Sequence, residues 1–436
     1  MSEFDFVTAL KLTQEYISRN YSQALVDKAA EKFLRSYIEK YLRDNEISVA
    51  GFTLQTLSSK ISNEMAGFSI LTELLQSDDL EEININSWDD IAVTRRNGKI
   101  EKLDDTFISK QHAVDIVKRL LAQSGMIIDN ASPAAQGHLP GNTRVTALKA
   151  PLVDDDVGIA VSIRILRPAS ITLEQIVKSG FATFEMIDFL CVCARYGVPF
   201  VISGATSSGK TTLLNAILKS IPFGKRIFTI ESGSRELSLV RRDSSGKVLN
   251  NVVHTLSRPS EKEAYDVSQE SLVVSSLRFN PDIICVGEMR DQECYSAVEA
   301  SLTGHTVLST VHSGPGELCH TRIALLCQKR FPIDIRTSLA QAAQAFPVVV
   351  YTHKLENNER KCMDISECVV NPSSGDRYYS SLYSFDIEKS FSDDDSYRVE
   401  GSFVKKNRMS ESLKRRLIQY GIPRDVLRRF TGEENA

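Results

Sequence analysis

From Gly204 to Thr211 the chain reads Gly-Ala-Thr-Ser-Ser-Gly-Lys-Thr, a G-x-x-x-x-G-K-T run. The chemistry such a run supports is the binding of phosphate. Small residues let loop N–H groups turn inward onto phosphate oxygens. A helix beginning near Lys210 aims its positive end at the same anion. The Lys210 ammonium suits the β- and γ-phosphates, and the Thr211 hydroxyl suits Mg²⁺. Context matters for this motif, which needs a strand before it and a helix after it. Val198–Ser203 is an apolar, strand-length run, and Thr212–Ser220 has helical character. The expected ATP-binding residues are therefore Gly204, Ala205, Thr206, Ser207, Ser208, Gly209, Lys210, Thr211 and Thr212.

Three later apolar runs end in groups that act on a phosphate. Arg226–Ile230 leads into Glu231, Asp282–Val286 into Gly287 and Glu288, and Thr306–Val311 into His312. In a parallel sheet the carboxyl ends of all strands lie on one edge, where ligands bind. Two carboxylates and an imidazole would then gather at the γ-phosphate, which describes a hydrolytic centre. The expected catalytic set is Glu288, Glu231, His312 and Lys210. One carboxylate serves as general base and the other stands on the metal side; which is which stays open, with Glu288 favoured as base. Mg²⁺ falls to Thr211, Glu231 and Glu288, directly or through water. His312 would sense the γ-phosphate by a hydrogen bond, and His305 has the weaker claim.

These groups need a scaffold, and the chain divides into five regions. Residues 1–75 carry apolar residues at helical spacing (Ala29, Phe33, Tyr37, Ile38, Tyr41) and read as a helical N-terminal extension. Residues 76–166 read as an α+β domain. Ile83, Ile85, Ile91 and Val93 alternate there, Asn97–Gly98 signals a hairpin, and a helix follows the N-cap candidate Ser109. Arg144–Lys149 and Gly158–Leu166 are further strands of that domain. Residues 167–182, punctuated by Pro168 and Gly180, form a linker. Residues 183–370 alternate strands and helices, the mark of a parallel sheet. The remainder, 371–436, holds a strand at Tyr378–Asp386 and one polar helix over about 409–429. The acidic runs Asp154–Asp156 and Asp393–Asp395 read as solvated loops.

Composition narrows the function classes. With 52 basic against 56 acidic side chains the net charge is −4, so no global field draws nucleic acid or an anionic membrane. Sequence-specific nucleic-acid binding is not expected. No secretory signal and no membrane span are visible, and the eight cysteines contain no CxxC pair, so they read as free thiols in a reducing cytosol. Locally the balance differs: Lys405–Arg429 holds nine basic and two acidic residues, a segment suited to peripheral contact with anionic headgroups or an acidic partner.

GATSSGKT, TIESGSREL, LRFNPDIICVGEMRD and SLTGHTVLSTVHS resemble, in order and spacing, the Walker A, Asp-box, Walker B and His-box motifs of the secretion (traffic) ATPases of type II secretion, type IV secretion and type IV pili. Upstream, LLQSDDLEEININSWDDIAVTRRNGKIEKL, IDNASPAAQGHLPGNTRVTALKAPL and VSIRI resemble the N-terminal domain of the tight-adherence pilus and conjugative-transfer branch. The resemblance covers about residues 70–370. It implies an α/β fold: a RecA-like P-loop NTPase domain with a predominantly parallel sheet, preceded by an α+β N-terminal domain. It also implies a cytosolic homohexamer that hydrolyses ATP with Mg²⁺ at an inner-membrane secretion or pilus platform. Arg144 and Arg164 match the family's N-terminal arginines that complete the site, while Arg258, Arg278 and Arg290 are weaker candidates. The chain departs from the family in the Asp box, where the usual acidic pair is Glu231-Ser232, leaving Glu231 and Glu236. It also lacks the tetracysteine insert of some type II members.

Two other functions compete with this one. A RecA-like DNA-translocating motor would need a basic channel, and the composition offers none. A nucleotide-dependent switch of the GTPase kind would carry Asn-Lys-x-Asp, which is absent from the sequence.

Overall fold

The structure, a computed structural model, describes residues 2–25, 28–96, 98–141, 143–165, 171–258, 266–370, 376–393 and 396–431. Asn97 of the hairpin signal, Pro168 of the linker, and Asp394 and Asp395 of the second acidic run lie outside these residues. The chain forms two compact units, Met1–Arg167 and Pro168–Ala436.

In the first unit, helices α1 (Phe6–Asn20), α2 (Lys28–Asp44), α3 (Leu54–Met65) and α4 (Leu71–Gln76) follow one another. Two short strands, β1 (Ser2–Phe4) and β2 (Ile47–Val49), pair in parallel between them, a feature the helical reading of 1–75 did not anticipate. Strands of three residues are too short for alternation to show. Next come β3 (Leu80–Ser87), β4 (Asp90–Arg95), β5 (Ile100–Lys102), helix α5 (Lys110–Ala122), β6 (Ala134–Leu139), β7 (Thr143–Lys149) and β8 (Ile159–Ile165). The six strands β3–β8 form one antiparallel sheet in the order β5-β4-β3-β8-β7-β6. Helix α5 starts where the Ser109 hydroxyl accepts from the His112 N–H. Val117, Leu120 and Leu121 on its apolar stripe are buried with Ile83, Val145 and Ile163. Along β7 and β8, buried and exposed residues alternate, so the sheet has one packed face and one open face.

The second unit opens with α6 (Leu173–Lys178) and α7 (Phe184–Arg195). Helix α6 occupies ground expected to be linker, and a capping box between Thr172 and Gln175 starts it. Strand β9 (Phe200–Gly204) leads to α8 (Lys210–Lys219), then β10 (Arg226–Ser232), β11 (Asn251–Ser257), α9 (Gln269–Ser276), β12 (Ile283–Met289), α10 (Glu293–Leu302), β13 (Thr306–Val311), α11 (Gly316–Gln328), α12 (Ile335–Ala345) and β14 (Val348–Lys354). The sheet closes with β15 (Arg360–Val370), β16 (Arg377–Asp393) and β17 (Ser396–Lys405). Its order is β11-β10-β12-β13-β9-β14-β15-β16-β17. The six strands from β11 to β14 are mutually parallel, and the last three add antiparallel pairs.

Both faces of the parallel part are covered, which is why its strands read as continuous apolar runs. Ile202, Leu308 and Val350 pack on one side with α7 and α8; Val201, Val307 and Val349 pack on the other with α10, α11 and α12. A central strand followed by a glycine-rich loop and a helix, inside a parallel sheet, is the α/β P-loop arrangement of RecA-like domains.

The expected single helix over 409–429 is instead two, α13 (Glu411–Gln419) and α14 (Arg424–Thr431). Gly421 takes φ +76° and Pro423 follows, so the helix cannot continue through them. Leu413, Leu417, Leu427 and Phe430 are buried in the core of the second unit. Much of the segment's charge is used internally: Lys405 pairs with Glu185 at 2.6 Å, Arg429 with Asp188 at 2.6 Å, and Arg416 donates to the Gly197 carbonyl at 3.0 Å. Lys406 pairs with Asp386. Among the described residues no helix is long and apolar enough to cross a membrane.

Candidate nucleotide site

The loop between β9 and α8 is shaped by backbone that few side chains tolerate. Gly204 has φ +151° and Gly209 φ +96°, and Ser207 is also left-handed at φ +59°. A Cβ on Gly204 would stand 2.3 Å from the Thr352 carbonyl oxygen, so β14 fixes glycine at that place. Below the loop, Ser208 and Thr352 share a hydroxyl–hydroxyl bond of 2.8 Å, and both residues are buried. Lys210 begins α8 and is 7% exposed. Its Nζ donates to the carbonyls of Gly204 (3.0 Å) and Ala205 (2.7 Å), which places the ammonium at the loop rather than in solvent. Thr211 and Thr212 occupy the first turn of α8, half-buried.

The strands beside β9 bring their ends to this loop. β13 neighbours β9 with Val311 opposite Ser203, so His312 emerges next to the loop. Lys210 Nζ lies 3.5 Å from His312 Nδ1, and His312 Nε2 lies 3.2 Å from Glu288 Oε1. The His312 ring thus stands between the Lys210 ammonium and the Glu288 carboxylate, and it also bonds to the Gly204 backbone. Burial first, and the Lys210 charge second, hold the His312 pKa below its ordinary value against the opposing pull of Glu288. A neutral ring is the state that can serve both neighbours. Glu288 itself lies where the β12–β13 register shifts, between Val286 and Met289. Such an irregularity re-aims a side chain that regular pleating would send elsewhere. Thr310 Oγ1 donates to the Gly287 carbonyl at 2.7 Å and steadies it.

Glu231 is placed differently from Glu288. It is 4% exposed near the end of β10, and its Oε1 accepts from the N–H groups of Glu236 (2.7 Å) and Leu237 (2.9 Å). Its Oε2 is buried and has no hydrogen-bond partner among the described residues. Gly287 packs against it, since a Cβ there would stand 3.1 Å from Glu231 Cγ. Burial outweighs the two N–H bonds and raises the Glu231 pKa to about 7. Because the folded value exceeds the unfolded one (4.5), the folded chain holds the extra proton between those limits. This group's stabilising share is therefore complete below about pH 4.5 and is lost as the pH rises through 7. Glu231→Gln keeps the acceptor for residues 236 and 237 but cannot ionise. Urea unfolding at pH 5.5 and 7.5 is expected to show the wild type losing more stability over that interval than the variant; parallel losses would contradict the assignment.

The structure thus brings together Lys210, His312 and Glu288, and sets Glu231 beside the same strand end. His305 stands apart from them. His305 precedes β13 and bonds to the Ala300 carbonyl, so the strand's length of about 20 Å lies between it and His312. Arg258 and Arg278 are exposed, and Arg290 stands 4.0 Å from Glu288. Arg144 and Arg164 belong to the first unit, on β7 and β8. One functional candidate escaped the sequence reading. Arg360, at the start of β15, donates its Nε to the carbonyl of Ser207 at 2.7 Å. Neighbouring Lys361 donates to the Gly180 carbonyl at 2.9 Å, so the β14–β15 hairpin is tied both to the loop and to the turn after α6. No local motif marks an arginine so far along the chain.

A hard divalent cation prefers oxygen donors. Thr211, the unpartnered Glu231 Oε2 and Glu288 are oxygen donors, and this set fits Mg²⁺. Among the described residues no group of three or more His, Cys, Asp or Glu could hold a metal by protein ligands alone.

A family model described as "Type II/IV secretion system protein" matches residues 64–378. An uncharacterized protein of Methanocaldococcus jannaschii is 28% identical over 270 residues, covering 62% of this chain and 47% of that protein. The type IV secretion system protein PtlH of Bordetella pertussis is 31% identical over 185 residues, covering 41% of this chain and 52% of PtlH. The chain therefore spans about half the length of these two relatives. Among solved structures, the VirB11 ATPase of the Brucella suis type IV secretion system in complex with sulphate aligns at 22% identity and a TM-score of 0.36, over 68% of this chain and 95% of that one. Since the matched span takes in well over half of the 436 residues and contains both the loop and the three strand ends around it, the chain belongs to the Type II/IV secretion system protein family.

Proposed function

We propose that this protein is an ATPase that hydrolyses ATP to ADP and phosphate at the loop 204–211. The observation that carries the reading is the hydrogen-bonded series Lys210–His312–Glu288 beside a phosphate-type loop. The β- and γ-phosphates lie against Lys210 and the loop N–H groups. Glu288 takes a proton from water as the water oxygen bonds to the γ-phosphorus and the bond to the β,γ-bridging oxygen breaks. His312 orients Glu288 and reports on the γ-phosphate through the same ring. Mg²⁺, held by Thr211 and, directly or through water, by Glu231 and Glu288, would draw charge from the phosphate oxygens. Phosphate release assayed with ATP and with GTP tests the reading; turnover of neither nucleotide would overturn it.

By its role, Arg360 is a positioning residue. It steadies the left-handed Ser207 and does not itself contact the reacting atoms. Arg360→Ala is expected to raise KM for ATP about tenfold, the size of one hydrogen bond to a charged group, with a smaller change in kcat. Arg360→Lys should recover part of the loss, and steady-state kinetics with an unchanged KM would remove the role.

The wider assignment follows the family. Six copies form a ring at the cytoplasmic face of an inner membrane, Arg144 and Arg164 complete the nucleotide site, and hydrolysis powers a type IV secretion, conjugative-transfer or tight-adherence pilus machine. Contact of 405–429 with an anionic surface narrows to Arg408, Arg415 and Arg424, which are exposed, because its other cations are largely engaged within the unit.

A further inference from the structure

Between β10 and its parallel neighbour β11 the chain makes a small hairpin whose base is firmly anchored. Leu237 and Leu239 are fully buried where it leaves the sheet. Asn250 clamps the two arms: its Oδ1 accepts from the Arg241 N–H at 2.8 Å, and its Nδ2 donates to the Leu239 carbonyl at 2.8 Å. The Ser238 N–H donates to Asn215 Oδ1 on α8 at 3.1 Å. At the tip, Asp243 Oδ1 accepts from the N–H groups of Ser245 (2.8 Å) and Lys247 (3.0 Å), which closes the turn from within.

The side chains this hairpin carries serve no core. Every residue from Arg242 to Leu249 is exposed, yet Val240, Val248 and Leu249 are apolar and 40–44% exposed. Cations stand among them. Arg242 is opposite Val248, so the two project to the same side. The Arg241 guanidinium lies over the exposed Phe223 ring, 5.3 Å from its centroid. Burial first, and the Arg241 charge second, lower the Lys219 pKa, so a further cation is close by. Asp243 is the only acid between Leu239 and Asn250, and the turn engages it. Among the described residues, Arg241, Arg242 and Lys247 form no ion pair. Aliphatic tips flanked by such cations on an ordered protrusion suit a surface with anionic groups outside and hydrocarbon behind them. A peptide would need a groove to lie in, which a hairpin exposed all round does not offer. A single nucleic-acid strand would need open aromatic faces, and Phe223 already has a guanidinium over it.

We propose that the hairpin 240–249 docks on a bilayer of anionic phospholipid, with Val248 and Leu249 entering the headgroup layer and Arg241, Arg242 and Lys247 meeting lipid phosphates. Phe223, under Arg241, follows the Lys219 end of α8, and the ten residues of that helix span about 15 Å from the phosphate loop. The docking surface is therefore separate from the nucleotide site, and neither reading depends on the other.

Co-sedimentation of the full chain with vesicles tests this, comparing phosphatidylglycerol mixed into phosphatidylcholine with phosphatidylcholine alone. Binding is expected only with phosphatidylglycerol, and it should weaken as salt is raised. At about fivefold per cation near a charged surface, Arg242→Ser combined with Lys247→Ser should lower the affinity about 25-fold. Val248→Ser combined with Leu249→Ser keeps every charge and should lower it about tenfold, a loss that attraction between charges alone would not produce. Thermal unfolding of both variants should match wild type, since these side chains pack on nothing. Equal binding to both vesicle types, or none to either, would overturn the proposal. So would wild-type binding by either hairpin variant, including the case where only Arg415→Ser, in the separate segment 405–429, reduces it. Poly-glutamate or an oligonucleotide bound more tightly than the vesicles, and lost in the Arg242 and Lys247 variant, would overturn the lipid assignment. Failure of the ATPase reading shows separately, as no turnover in wild type.

Discussion

Replacing Lys210 with alanine is expected to reduce phosphate release from ATP by about 100-fold or more, the cost of removing one preorganised donor from a transferring phosphoryl group. The buried ammonium is directed at the loop by the carbonyls of Gly204 and Ala205, so its charge is delivered at little reorganisation cost. Its loss also removes a donor from each of those carbonyls. Thermal unfolding must accompany the assay to separate a collapsed loop from a missing charge. Lys210→Arg makes that separation sharper: it restores the charge but presents a planar fork where a compact ammonium fits. Turnover near wild type in Lys210→Ala would remove the loop from the chemistry.

Glu288→Gln is expected to lower kcat by about 100-fold to 10,000-fold while ATP affinity stays within about threefold. The glutamine amide, which can accept or donate, still meets His312 Nε2 where Glu288 Oε1 lies 3.2 Å away, so the local hydrogen bonding survives. Only basicity is lost. Rapid-quench single turnovers, together with fluorescent-nucleotide binding, separate the two effects. If affinity and kcat fell together, Glu288 would be a binding group; if kcat were kept, the base would have to be sought elsewhere, with Glu231 the next candidate.

How much of this was readable in advance depends on how local each feature is. The loop is a short-range object: left-handed glycines, a buried strand before it and a helix after it all sit within twenty residues, so β9 and α8 are legible directly. The strand ends at Glu231, Glu288 and His312 are legible because fully covered strands must be apolar throughout and then change character abruptly. Distance in sequence hides the rest. Arg360 reaches Ser207 through the β14–β15 hairpin, and no pattern near either residue records the pairing. β17 escaped notice because Ser396–Lys405 mixes glycine, charge and exposed side chains, as an edge strand does. The break between α13 and α14 is written in Gly421 and Pro423, although 409–429 as a whole reads as one polar helix.

The central claim is that the terminal phosphate of ATP lies between the loop and the Lys210–His312–Glu288 series. A structure of the full chain with Mg²⁺ and a non-hydrolysable ATP analogue tests it most directly. The account predicts the β- and γ-phosphates against residues 204–211, the γ-phosphate within hydrogen-bonding reach of Lys210, and Glu288 facing a water in line with the γ-phosphorus. A nucleotide bound away from the loop, or Glu288 turned from the γ-phosphate, would contradict it.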